Sequence, residues 1–121
     1  MANPNLVNVT SITGESVQAT LDTTLTTEIL VAASDTLAKV NSIIVANIDG
    51  SSAADASIFI TKSGGSPVAI ASTVSVPADA TLVVIDKNTA LYLEEGDNLE
   101  AGASANGDLT ITVNFEILND A

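Results

Sequence analysis

A strict alternation of apolar and polar residues near the C-terminus is the feature that most constrains the fold of this chain. Leu109, Ile111, Val113, Phe115 and Ile117 are separated by threonine, asparagine and glutamate. A period of two places the apolar side chains on one face of a β-strand and the polar ones on the other. Such a strand has one dry face, and a second layer of structure must cover that face.

Shorter segments with strand signals precede this one, and clusters of Gly, Pro, Asn and Asp separate them at spacings of about 8–12 residues. The predicted strands cover residues 16–21, 26–32, 39–48, 57–62, 68–76, 81–85, 90–93 and 98–103. Residues 36–40 are also compatible with one helical turn, but no segment sustains a helical period. We therefore predict an all-β fold, an antiparallel β-sandwich of the jelly-roll or immunoglobulin-like type with roughly 8–10 short strands.

One turn signal is stronger than the others. Asn106-Gly107 lies between residues 98–103 and the C-terminal alternating strand. Asn-Gly is the favoured centre of a type I′ turn, which joins two neighbouring antiparallel strands. The sequence therefore predicts a hairpin at this point.

A chain of 121 residues is the size of one domain, and we place a single β-sandwich domain at residues 10–121. Residues 1–9 are interpreted as an N-terminal arm. The predicted assembly residues of this arm are Asn3, Pro4, Asn5, Leu6 and Val7. Proline and asparagine disfavour a strand, and the short apolar pair after them has no clear partner. Such an arm can add a strand to the sheet edge of a neighbour, and a frayed terminus is the alternative.

The charge balance limits the partners. Fifteen acidic residues face three lysines, which gives a net charge of −12. A surface of this sign repels nucleic acid and anionic lipid, so neither is an expected partner. No N-terminal signal pattern and no run of about 20 apolar residues is present, which predicts synthesis and folding in a cytoplasm.

The chemistry of the side chains argues against catalysis. The chain contains no histidine, cysteine, arginine or tryptophan. A nucleophilic triad lacks its base, and thiolate chemistry is excluded. Glu94 and Glu95 are adjacent, so on an extended chain they point in opposite directions and do not form a carboxylate pair. We therefore predict a protein that is not an enzyme and that has no cofactor.

Calcium is the metal that these residues favour, because carboxylate and amide oxygens are abundant. Residues 94–98 (EEGDN) together with Asp108 form a candidate calcium cluster near one end of the predicted hairpin. No calcium-loop consensus accompanies them. The alternative interpretation, which we favour, is a charged turn in solvent.

Several segments resemble small virion structural proteins of tailed bacteriophages, of the decoration, neck or tail type. They are residues 76–88 (VPADATLVVIDKN), 91–99 (LYLEEGDNL), 107–113 (GDLTITV) and the opening 5–14 (NLVNVTSITG). The resemblance covers most of the chain, and its motifs are turns and strands, which identify a lineage better than an activity.

This resemblance implies a β-sandwich built into a virus particle, present in the virion and in the host cytoplasm during assembly. The role it favours is capsid decoration, in which the protein bridges and stabilises shell subunits as a homo-oligomer, with a trimer favoured. The major capsid protein or other virion proteins would be its partners. Alternatives are a neck, tail or fibre-base component, and a receptor- or glycan-binding module.

Overall fold

The computed structural model describes Leu6 and residues 9–119 of the chain. Within them lie nine strands and one 3₁₀ turn. The strands are β1 (Ser11–Thr20), β2 (Thr27–Val31), β3 (Thr36–Asn47), β4 (Ala54–Thr61), β5 (Pro67–Val76), β6 (Thr81–Ile85), β7 (Leu91–Leu93), β8 (Asn98–Ala103) and β9 (Leu109–Asn119), and the 3₁₀ turn covers Lys87–Thr89. No helix in this part of the chain has the length and apolar character to cross a membrane.

The strands form two antiparallel sheets, which confirms the predicted β-sandwich. Sheet A has the order β1-β9-β3-β6, with the short β7 also paired to β3. Sheet B has the order β2-β8-β4-β5. The chain can be traced as one long hairpin whose tip lies between β4 and β5. This hairpin is rolled up, so that its successive strand pairs alternate between the two sheets; they are β1–β9, β2–β8, β3–β6 and β4–β5. This is the jelly-roll arrangement.

The core lies between the inner faces of the sheets. Ile43 and Val45 of β3 and Ile111 and Val113 of β9 project from sheet A, and each is fully buried. Leu99 of β8 faces them from sheet B and is also fully buried. Their alternation with half-buried threonine, serine and isoleucine residues reproduces the period of two seen in the sequence.

The predicted hairpin at Asn106-Gly107 is wrong. The two strands that this turn connects, β8 and β9, lie in different sheets. Of the pair, only Gly107 has a positive φ, at 82°, whereas a type I′ turn requires positive φ at both central residues. The segment arches over the end of the sandwich instead: the side-chain carbonyl of Asn106 accepts the Thr23 N–H, and the Gly107 N–H donates to the Leu21 carbonyl.

Two other local interpretations are corrected. Residues 36–40 form the start of β3 and not a helical turn. β1 begins at Ser11, five residues before the predicted start at residue 16. Residues 11–16 are exposed on both faces of the strand, so their sequence carries no alternation of apolar and polar residues that would reveal them. Exposure of both faces is the mark of an edge strand that extends beyond the covered part of the core.

Candidate assembly surface

The outer face of sheet A differs from the rest of the molecule in charge. The strands of sheet A contain two carboxylates, Glu15 and Glu116, and one lysine, Lys39. The strands of sheet B contain three carboxylates and no lysine. Glu15 points with Val17 toward the inner side of β1, since alternate residues share a face, so the strands of sheet A place Lys39 and Glu116 as opposite charges on its outer face. Because the whole chain has a net charge of −12, electrostatic repulsion of another negatively charged surface is weakest at this face.

An apolar row crosses one end of this face. Ile12 of β1 stands opposite Leu118 of β9, and Leu118 stands opposite Leu37 of β3. Paired residues share a face, so the three side chains lie side by side. We call Ile12, Leu118 and Leu37 the apolar row. Leu37 and Leu118 are buried at 6% and 7% exposure, whereas Ile12 is 59% exposed.

Leu6 lies next to this row. Leu6, Leu37, Tyr92 and Glu94 line a cleft of about 290 Å³. Leu6 and Tyr92 remain about half exposed, at 49% and 47%. The cleft joins the apolar row to an aromatic side chain with a polar tip, a combination that is frequent at protein interfaces.

Of the predicted arm residues, the structure describes Leu6, which lies at this cleft. Asn3, Pro4, Asn5 and Val7 lie outside the described residues. The interpretation of residues 1–9 as an assembly arm therefore stays a prediction.

A lysine groove occupies another part of the outer face. Lys39 and Lys87 line an open depression of about 440 Å³. The other lining residues are Asn41, Ser42, Val83, Asp86 and Glu116. The ion pairs among the described residues all involve Lys62, so no direct carboxylate contact neutralises Lys39 or Lys87 in that part of the chain. The groove thus contains two ammonium groups together with the carboxylates of Asp86 and Glu116.

The acidic turn predicted as a candidate calcium cluster contains a buried carboxylate that binds a lysine. The side chain of Asp97 is only 2% exposed. Its Oδ2 accepts from Lys62 Nζ at 2.7 Å and from the Glu94 N–H at 2.9 Å, and its Oδ1 accepts from the Ser63 N–H at 3.2 Å. Lys62 also donates to Glu94. Asp97 therefore fastens the β4–β5 loop to the β7–β8 turn, a structural role.

The remaining residues of the candidate cluster are dispersed. Glu95 has a different partner from Glu94: its Oε2 accepts the Asp35 N–H at 2.6 Å, whereas Glu94 accepts from Lys62. Asp108 follows β8, whereas residues 94–97 precede it, so the full length of β8 separates them. The expectation that Asp108 joins this turn is wrong, because Asp108 and the turn lie at opposite ends of β8. Across the described residues, no group of three or more carboxylates is placed to hold a metal ion.

The ion pairs of Lys62 predict a specific alkaline dependence of stability. The carboxylate of Asp97, followed by that of Glu94, raises the pKa of Lys62 above its ordinary value of 10.5. A raised pKa in the folded state stabilises the fold below the unfolded-state pKa, and this contribution is lost as the pH rises through the folded-state value. We expect the stability difference between the natural chain and Lys62→Met to be constant from about pH 7 to about pH 10 and to shrink above it. Urea unfolding at stepped pH measures this difference. A difference unchanged at the highest pH would contradict the assignment.

Sequence reasoning missed both the lysine groove and the edge position of β1. The groove includes Asn41, which lies at a register shift between Val40 and Ser42 that no propensity reveals. The edge had a readable signal: ten consecutive strand residues with no lysine and no proline, residues that edge strands often carry as protection.

Comparisons with known proteins identify no family for this chain. No protein-family model matches the chain, and no curated protein matches it. Among solved structures, the chain is similar to the VP2 subviral particle of infectious bursal disease virus, with a TM-score of 0.39 and 15% sequence identity over 90% of this chain. The chain spans 32% of the length of that VP2 chain. The jelly-roll assignment rests on the strand pairing described above.

Proposed function

We propose that this chain is a non-enzymatic structural protein of a virus particle, and that its role there is capsid decoration, in which it bridges and stabilises shell subunits. The observation that carries the proposal is the outer face of sheet A, which combines balanced charge, the apolar row and the lysine groove on a strongly acidic molecule. A surface of this kind fits adhesion to a large, repeated partner. The sequence resemblance to small phage virion proteins supplies the context.

The chemistry of the described residues supports the non-enzymatic part of the proposal. The composition lacks histidine, the side chain that most often serves as a general base, and cysteine. The carboxylate of the acidic turn that is most buried, Asp97, is neutralised by Lys62 and by two backbone N–H groups. A carboxylate held in this way is a structural anchor, because its oxygens are already occupied.

Attachment to the shell would use two kinds of contact. Ile12, the exposed member of the apolar row, and Tyr92 would bury apolar surface against a shell subunit, at roughly 25 cal/mol for each Å² removed from water. Lys39 and Lys87 would pair with carboxylates of the shell, which sets orientation more than affinity. Each contact is modest, and occupancy of many equivalent sites on a lattice makes the sum effective.

A matched pair of substitutions tests this surface. We expect Tyr92→Asp to reduce the amount of protein bound to particles by about tenfold or more, because truncating an interface tyrosine costs about 2 kcal/mol or more. Val68→Asp makes the same change of charge on β5 of the other sheet, where Val68 is 62% exposed. Quantitative mass spectrometry of purified particles gives the copy number for each variant. Equal loss in both variants would contradict a role for the outer face of sheet A.

Deletion of residues 2–9 tests the arm in the same assay. We expect the shortened chain to fold and to lose particle binding, with unfolding curves of the free protein as the control for folding. Unchanged binding would remove the arm from the proposal without affecting the outer face.

The copy number also separates the alternatives. A decoration protein is present in numbers that match the capsid lattice, whereas a neck, tail or fibre-base component is present in few copies. A receptor- or glycan-binding module would bind a glycan array, and jelly-roll domains include lectins. Low copy number would replace decoration with a neck or tail role, and absence from particles would overturn the virion assignment.

A further inference from the structure

The edge of sheet A formed by β1 carries little protection. β1 pairs with β9 through ten consecutive residue pairs without a bulge, and on its other side it has no strand partner among the described residues. It contains no lysine and no proline, and Glu15 is its one charged residue. A long, flat edge of this kind is a template for another strand.

The other sheet edges carry protection that β1 lacks. β2 and β6 have five residues each, and each contains a register shift. β5 begins with Pro67, has two register shifts against β4, and holds Thr73 at a positive φ of 49°. Short length, bulges and proline all discourage strand addition. Three edges thus carry short length, bulges or proline, whereas the β1 edge carries only the inward-facing charge of Glu15.

The hydrogen-bonding groups of β1 that face outward can be identified from its register. The Leu21 N–H donates to the Leu109 carbonyl, and Leu21 opposes Leu109 by continuation of the β1–β9 ladder. Groups that bond across an antiparallel ladder belong to alternate residues, so the odd-numbered residues of β1 bond to β9. The even-numbered residues therefore present their N–H and C=O groups to the open edge. They are Ile12, Gly14, Ser16, Gln18 and Thr20.

We propose that this edge pairs with β1 of a second copy of the chain, antiparallel, about a twofold axis that passes Ser16. The outward groups at positions 12 to 20 are symmetric about residue 16, so a second β1 satisfies all of them: Ser16 bonds to Ser16 of the other copy, Gly14 to Gln18, and Ile12 to Thr20. The two copies of sheet A then form one continuous sheet, with their outer faces on the same side.

Glu15 decides the register. Two registers of the β1–β1 pairing join even-numbered residues to even-numbered residues along nine residues of each strand. One register is centred on Glu15 and the other on Ser16. The first places the two Glu15 carboxylates directly opposite each other, which is destabilising. The second places Glu15 opposite Val17 of the other copy and leaves the two carboxylates as diagonal neighbours about 7–8 Å apart. On the outer face Ser16, whose hydroxyl accepts from Gln18 Nε2 at 3.1 Å, meets its symmetry copy.

The contact is isologous, and a ring with threefold symmetry alone contains no isologous contact. The trimer favoured by the sequence resemblance is therefore compatible with this inference only as part of a larger assembly that also has twofold axes. Since each copy carries a charge of −12, association is expected to strengthen with salt.

The chain contains no cysteine, which makes a single introduced thiol a specific probe. In the proposed register the Ser16 Cα atoms lie about 5.5 Å apart, within the range of a disulfide. We expect Ser16→Cys to form a disulfide-linked dimer under mild oxidation, in at least about tenfold greater yield than Ser75→Cys at equal concentration. Ser75 is the matched control, because it is an exposed serine on the β5 edge.

A second variant tests the edge without a new bond. Ser16→Pro removes an outward N–H and no β1–β9 hydrogen bond, so we expect it to fold and to sediment as a monomer where the natural chain sediments as a dimer in high salt. Circular dichroism and urea unfolding confirm its folding. Should Ser16→Pro unfold the chain, Gly14→Glu, which places a fixed charge on the same edge, replaces it.

Equal crosslinking of Ser16→Cys and Ser75→Cys overturns the proposal. So does a natural chain that stays monomeric at high salt and high concentration, or a trimer that Ser16→Cys does not crosslink. None of these results bears on particle binding through Tyr92, so the failure of this inference is distinguishable from failure of the proposed function.

Discussion

Gly102→Ala is expected to lower the free energy of unfolding by about 3 kcal/mol or more, toward the upper end of what overpacking costs. Gly102 lies in β8, and the loop between β1 and β2 crosses directly over it. A Cβ atom at this position would lie 2.4 Å from Leu25 Cα and 2.6 Å from the Thr24 carbonyl oxygen. Both are backbone atoms, so no rotation of a side chain relieves the clash, and the loop must move.

Movement of that loop has further consequences. The Ala103 N–H donates to the Asp22 carbonyl at 2.8 Å, and the Asp22 carboxylate accepts the Thr24 N–H at 2.9 Å. These hydrogen bonds hold the loop on sheet B, so displacing it loses them as well as the close packing. The midpoint of urea unfolding should therefore fall while the slope of the transition is unchanged.

Gly14→Ala is the matched control. Gly14 is also a strand glycine, and no heavy atom lies within 4 Å of the position that its Cβ would take. Alanine there reduces the freedom of the unfolded chain, so we expect an unfolding free energy equal to or up to about 1 kcal/mol above that of the natural chain. A loss of similar size in both variants would show that the glycine content of the strands, and not the close approach at Gly102, sets the cost.

The sequence predicted individual strands well wherever one face is buried. β6 (Thr81–Ile85) and β8 (Asn98–Ala103) have the bounds that the pattern predicts, because turn residues flank both of them closely. β1 was predicted five residues short, because its first half has no buried face and therefore no hydrophobic pattern. A hydrophobic period arises where one face of a strand is buried. It therefore gives no indication of a strand that extends into solvent.

The pairing of the strands was predicted less well, and the reason is physical. The Asn106-Gly107 pair predicts that the chain reverses its direction between β8 and β9, and the chain does turn there. The pair does not indicate whether the two strands lie side by side or face each other across the core. Both β8 and β9 have one apolar face, which suits either arrangement. The choice depends on β4 and β3, the strands against which β8 and β9 pair, and these lie far away in the sequence.

The candidate site shows the same limit. The acidic turn at residues 94–97 was recognised as a cluster of oxygen ligands, but its cation is the ammonium group of Lys62, which comes from another loop more than 30 residues away. A turn and its remote partner meet only through the topology of the sheets. The same holds for Leu6 and Leu37, which line one cleft although nothing in their local sequences relates them.

Asp97→Asn is expected to destabilise the fold by about 2–3 kcal/mol, the cost of leaving buried hydrogen-bonding groups without partners. Asp97 Oδ2 accepts two donors, Lys62 Nζ and the Glu94 N–H, and Oδ1 accepts the Ser63 N–H. An amide has one acceptor oxygen and one NH₂ group, so whichever way it is oriented, a donor meets a donor. The substitution changes neither the volume nor the backbone preference appreciably, so the loss measures the hydrogen bonds and the charge.

Glu94→Gln makes the same chemical change at the other carboxylate that binds Lys62, and it serves as the control. The Glu94 side chain is 46% exposed and that of Lys62 is 55% exposed, so water replaces the lost contact. An exposed ion pair contributes less than about 1 kcal/mol, and we expect a loss in that range. Comparable losses in the two variants would mean that the charge of Lys62 dominates. A loss confined to Asp97→Asn would identify the buried backbone N–H groups as the reason that this turn needs an aspartate.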